Sequence, residues 1–260
     1  MRALVPFLCL PLVLCAATSH AAVRSRAVEW KVGTTVFEGT IAWDDAKKGK
    51  RPAVLVIHDW MGPSEFTRGR AEALAQLGYV ALSGDVYGKG TRPKDGKEAA
   101  AAATALKNDR PLLRQRARAA LDVLLAQPET DPAHVGAIGY CFGGTTVLEL
   151  ARSGAPVLAT VSFHGGLDTK TPEDARQIKG KVLALCGADD PYVPPEQVAA
   201  FEQEMRTAKV DWQLTSYGGA VHAFAVPGAG NDPSKGAAYD AKADKRSWAA
   251  MQAFFEETLR

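Results

Sequence analysis

Gly139-Tyr140-Cys141-Phe142-Gly143-Gly144 is the stretch whose reading decides the fold. It follows an apolar run, His134-Val135-Gly136-Ala137-Ile138, and leads into Thr145 to Ala151, which reads as helix. The pattern is Gly-x-Cys-x-Gly, a nucleophile elbow with cysteine at the position serine commonly holds. A strand that turns sharply into a helix forces the central residue to a positive φ, and glycines two residues either side let neighbouring backbone pass close. The helix that follows points its N-terminus at the thiol and favours its anion. Cys141 is therefore the candidate nucleophile, and the chain must supply its partners.

The chain has 260 residues, is 47% hydrophobic, and carries 31 basic against 29 acidic side chains. That length suits one large α/β domain. The near-balanced charge shows no basic patch, so nucleic acid is not an expected partner. Residues 1–21 stand apart: Arg2, an apolar stretch from Ala3 to Ala17, and the small-x-small site Ser19-His20-Ala21. This reads as a secretory signal cleaved after Ala21, leaving residues 22–260 as one secreted or periplasmic domain. An N-terminal membrane anchor is the alternative, but the apolar run falls short of the roughly 20 residues of a span, so no stable insertion is expected after cleavage. Leu14 is too bulky to precede a lipidated Cys15. Cleavage removes Cys9 and Cys15 and leaves Cys141 and Cys186. A disulfide between them is conceivable in an oxidising compartment but would abolish the nucleophile. Two free thiols are expected, Cys186 acting as a small buried hydrophobe.

Val28 to Trp43 alternates apolar and polar residues about a Gly33-Thr34 turn, the pattern of an antiparallel hairpin. Ala53 to His58, Tyr79 to Ser83, Val135 to Gly139, Val157 to Phe163 and Lys181 to Cys186 are short apolar runs of the kind buried on both faces of a parallel sheet. Trp212 to Tyr217 adds another strand. Between them, Arg68 to Leu77, Glu98 to Leu106, a segment from Pro111 to about Gln127, and Pro195 to Ala208 read as helices. Ser234 to Leu259 is expected to form a long terminal helix with Trp248, Met251 and Phe255 on its buried stripe. The alternation predicts a doubly wound, mostly parallel sheet with helices on both faces and an N-terminal antiparallel hairpin.

After Cys141, the strand Lys181 to Cys186 ends in Gly187-Ala188-Asp189-Asp190-Pro191-Tyr192-Val193-Pro194. The next strand ends in Gly218-Gly219-Ala220-Val221-His222-Ala223-Phe224. Both segments follow strand C-termini, where open α/β sheets bind ligands. Nucleophile, then acid, then histidine is the chain order of α/β-hydrolases.

With these residues in this order, the sequence resembles the dienelactone hydrolase family over essentially the whole chain after residue 21. The resemblance implies a Cys141 nucleophile, His222 as its general base, and Asp190 to orient the imidazole. Asp190 is preferred to Asp189 because it stands three residues before Val193, as the family's Asp-x-x-Val-Pro requires. The backbone N–H of Phe142 and one from the loop His58-Asp59-Trp60-Met61-Gly62, assigned to Trp60, would bind the oxyanion.

The sequence also departs from the family. Asp59 stands where the family has a glutamate that holds and activates the resting cysteine; it either keeps that role or caps its loop. Dienelactone-cleaving members hold the substrate carboxylate with two arginines. Here one position is Lys89, after Asp85-Val86-Tyr87-Gly88, and the other is Val226. Arg92 lies nearby and could substitute. Lysine cannot reproduce the bidentate geometry of arginine, which argues against an anionic substrate. Tyr87 could donate to substrate or be structural. His164 could line the pocket or pack behind it, and His58 is expected in the pocket wall. His134 is expected on the opposite edge, uninvolved.

Two readings follow. The first is an exported hydrolase of small carboxylic esters or lactones, monomeric. It needs no organic cofactor or metal, because neither a His/Cys ligand spacing nor a phosphate-binding loop is present. The second is a non-catalytic ligand-binding or thiol-redox protein on the same fold.

Overall fold

The structure, a computed structural model, describes residues 23–260. The signal read at residues 1–21, with Cys9 and Cys15, lies outside the described residues. The first two strands, β1 (Val23–Val32) and β2 (Thr35–Asp44), form the expected hairpin about Gly33 and Thr34. It is longer than its alternation suggested. Three strands follow: β3 (Arg51–Ile57), β4 (Val80–Gly84) and β5 (Thr130–Tyr140). The last three are β6 (Ala159–Phe163), β7 (Lys181–Gly187) and β8 (Trp212–Tyr217). All eight join one sheet in the order β1-β2-β4-β3-β5-β6-β7-β8. Pairing is antiparallel from β1 to β2 and from β2 to β4, and parallel everywhere else.

Among the described residues, six α-helices cover the sheet: α1 (Glu65–Gln76), α2 (Gly96–Asn108), α3 (Arg110–Leu125), α4 (Phe142–Arg152), α5 (Pro195–Ala208) and α6 (Ala241–Leu259). Strand alternation sorts the core between two faces. Val54 and Val56 of β3 pack with Leu74 of α1 and Met251 and Phe255 of α6. Leu55 and Ile57 of the same strand face Leu113, Ala117, Leu121 and Leu124 of α3 and Val147 of α4. Burial on both faces is what makes β3 read as a continuous apolar run.

One boundary is corrected. The terminal helix begins at Ala241, not near Ser234; Pro233–Lys235 is a short 3-10 turn, and Asp240 caps the helix by accepting from the Lys242 and Ala243 N–H groups. The intervening residues are engaged elsewhere. His222 N–H donates to the Gly236 carbonyl, Ala238 N–H donates to the His222 carbonyl, and His222 and Ala237 form a β-bridge. Extended backbone at residue 237 cannot also be helical, so a tertiary contact overrides local propensity.

The back of α4 is fastened by buried charge. Arg152, with no exposed surface, makes two bonds of 2.8 Å to Glu204 and one of 3.1 Å to Glu149, and donates to the Leu167 carbonyl. Arg114 also reaches Glu149. Arg152→Leu leaves Glu204 buried without its partner and is expected to cost about 3–5 kcal/mol of stability. Urea denaturation checks this, and an unchanged midpoint would contradict it.

Candidate active site

Cys141 is the residue between β5 and α4, at φ 53° and ψ −116°. Its surroundings leave no room for ordinary side chains beside it. A Cβ on Gly139 would lie 2.0 Å from the Gly143 carbonyl oxygen, and one on Gly143 would lie 2.3 Å from the Ile57 oxygen. The elbow is therefore pressed against the end of β3. The Cys141 N–H donates to the Phe163 carbonyl at 3.0 Å and also approaches His164 Nδ1 at 3.2 Å. Its carbonyl accepts from Gly144 N–H at 2.9 Å, the first turn of α4.

The loop after β8 sets His222 between two partners. Its Nε2 is 3.0 Å from Cys141 Sγ and its Nδ1 is 2.8 Å from Asp190 Oδ2. The other carboxylate oxygen of Asp190 accepts the Tyr192 N–H at 2.8 Å. Asp190 is buried whereas Asp189 is exposed, so the structure sets Asp190 against the histidine. Burial opposes a charge on His222, but hydrogen bonds to Asp190 and Cys141 outweigh it and push the imidazole up to about 10. Protonated imidazole beside sulfur is the arrangement that favours a thiolate.

The loop 58–62 is fixed by two ring donors. His58 Nδ1 lies 2.6 Å from the Asp59 carbonyl, and its Nε2 accepts the Val86 N–H at 3.2 Å. These partners require the tautomer with the proton on Nδ1. The Tyr87 hydroxyl donates to the Trp60 carbonyl at 2.9 Å. In a trans peptide the N–H opposes the carbonyl. With the Asp59 carbonyl held by His58, the Trp60 N–H is turned the other way and its direction is set. The Phe142 N–H, in the first turn of α4, has no partner within its helix. Tyr87 is buried, stacks on Phe142 with ring centroids 5.5 Å apart, and is thereby committed to structure, with burial raising its hydroxyl pKa.

The remaining candidates are placed as follows. Asp59 accepts the Met61 N–H at 2.8 Å, the loop-capping alternative. Burial raises its pKa, against the pull of that bond and of the His222 charge. Lys89 pairs with Glu29 and lies 4.0 Å from Glu38, both on the hairpin. Arg92 bonds Glu38 at 2.9 Å and stands 3.7 Å from Asp85. Both cations are thus paired with acids of this chain. Cys186 is a free, buried thiol among Val182, Phe201 and Met205, and burial pushes it up to about 12. His134 bonds Asp131 ahead of the apolar half of β5.

Three relationships escaped sequence reasoning: the His58 clamp, the His164 contact with the elbow N–H, and Tyr192 against His222. His164 is wholly buried at φ 41°, and burial with the nearby His222 charge holds its pKa well below the ordinary value. Its position after β6 was the available signal. No local pattern announced the other two.

The sequence matches the dienelactone hydrolase family over residues 37–259. It is 30% identical over 224 residues to the carboxymethylenebutenolidase of Rhodococcus opacus, covering 81% of this chain and 83% of that protein. Among solved structures, m3DLH is 44% identical with a TM-score of 0.89, covering 92% of this chain and 100% of its own. The dienelactone hydrolase-like promiscuous phosphotriesterase P91, from metagenomic libraries, is also 44% identical, with a TM-score of 0.87 and the same coverage of 92% and 100%. The chain thus belongs to the dienelactone hydrolase family within the α/β-hydrolase superfamily.

Proposed function

We propose that this chain is an exported hydrolase of neutral carboxylic esters or lactones, working through a thioester on Cys141. The observation that carries this reading is the His222 ring bridging Cys141 Sγ at 3.0 Å and Asp190 at 2.8 Å. The sulfur attacks the carbonyl carbon, and the oxyanion is held by the N–H groups of Phe142 and Trp60. His222 then gives its proton to the leaving alcohol as the C–O bond breaks. Water, deprotonated by the now neutral His222, attacks the thioester and releases the acid, while Asp190 keeps Nδ1–H oriented throughout.

The substrate class follows from charge. The Rhodococcus relative's name speaks of a butenolide carrying a carboxylic acid. Here Lys89 and Arg92 are paired with acids of the hairpin and of the β4 loop, and Val226 is apolar. A substrate carboxylate would have to displace those pairs. A second reading, attack of the same sulfur on phosphorus of a neutral phosphotriester, is favoured by the 44% identity with P91. The thiol-redox alternative has little support, because Cys186 is buried in a separate apolar cluster.

Cys141→Ala is expected to lower turnover of phenyl acetate by at least about 10³-fold. Full activity in that variant would remove the nucleophile assignment. Because His222 keeps its proton below about pH 10, iodoacetamide at pH 6 should modify Cys141 and spare Cys186. His222→Ala should slow that alkylation by more than about tenfold; equal rates would contradict the imidazolium. Protein recovered from the periplasm of an expressing bacterium should begin at Ala22 by intact mass, and an uncleaved Met1 would refute export by this signal.

A further inference from the structure

We infer that Tyr192 is the residue that selects the leaving group, and that the group it accepts is planar and apolar, such as a phenol. Trp60 and Tyr192 are the large apolar side chains left exposed among the described residues, at 40% and 59%. Both stand at the site. They come from loops on opposite sides of the elbow: Trp60 follows β3, which borders β5 on one flank, and Tyr192 follows β7, beyond β6 on the other.

The two flanks have different chemistry. The β3 side carries the Trp60 N–H and so receives the carbonyl oxygen. The β7 side carries His222 Nε2, whose proton must reach the departing oxygen. When the sulfur–carbon bond forms and the carbon–oxygen bond breaks, that proton passes to the alcohol, so the alcohol portion lies beside His222. Tyr192 is what borders His222 there. Its ring meets the imidazole edge-to-face, with centroids 5.1 Å apart and planes at 76°.

Tyr192 is also held in place. Its N–H is bound to the same Asp190 carboxylate that holds His222. Gly236 lies close by and leaves that side uncrowded: a Cβ there would lie 2.9 Å from Pro191 and 3.9 Å from the Tyr192 ring. An aromatic residue held at its backbone and 59% exposed offers contact area to a planar apolar group and has only two side-chain torsions to order on binding.

This rests on the thioester reading, and its test separates the two. Phenyl acetate and methyl acetate deliver the same acetyl group to Cys141 and differ only in the alcohol. Tyr192→Ala should lower kcat/KM for phenyl acetate by about tenfold and for methyl acetate by less than about twofold. The decay of acetyl-Cys141, followed by mass spectrometry after a single turnover, should change by less than about twofold, because the alcohol has already left. Tyr192→Phe, which keeps the ring, should retain the native preference. Equal losses on both esters, no loss on either, or a parallel slowing of deacetylation would each overturn the inference. Parallel slowing would mark Tyr192 as a positioning residue acting through His222. Retained hydrolysis of both esters by Cys141→Ala would instead strike the thioester reading itself.

Discussion

The close approach of Gly143 to the end of β3 is the constraint on which the site depends. With no Cβ at residue 143, the first turn of α4 sits directly against the Ile57 and His58 carbonyls. That contact brings the Phe142 N–H and the loop from His58 to Gly62 to the same place as the sulfur. It also forces Cys141 to its positive φ, a backbone state that L residues adopt only where the surroundings impose it. The imposition comes from both sides: Phe163 and His164 hold the Cys141 N–H, and the Arg152–Glu204 pair fastens the far end of α4. The strained residue is thus clamped at both ends of the element it opens.

Around that clamp the electrostatics divide in two. Inside, His222 and Asp190 share buried hydrogen bonds that stabilise a positive imidazole next to the sulfur. Outside, the two cations of the loop after β4, Lys89 and Arg92, are tied to glutamates of the hairpin, and Arg92 also approaches Asp85. Surface pairs of this kind contribute little stability. What they do here is tie the loop after β4 to the hairpin beside it.

Much of this was legible in the residues. The buried strands showed as apolar runs because burial on both faces leaves no polar alternation. The elbow showed because its tight turn demands glycine at set offsets, and the Asp190 segment and the His222 loop showed through their chain order after strand ends and the family resemblance. Less legible was whatever depended on partners distant in sequence. Lys89 looks like a free cation until the hairpin brings Glu29 beside it. Tyr87 looks like a substrate donor until the Trp60 carbonyl takes its hydroxyl. The terminal helix looked longer because Lys235, Ala237 and Ala238 are good helix formers, and the bridge between His222 and Ala237 explains why residue 237 is extended instead.

That bridge bears on the order in which the molecule becomes chemically competent. The sulfur leaves the ribosome long before the segment that holds its base in register. The two backbone bonds that residues 236 and 238 make with His222 form only once the chain beyond residue 235 is in place, and the imidazole's 3.0 Å approach to the Cys141 sulfur rests on that late-made segment.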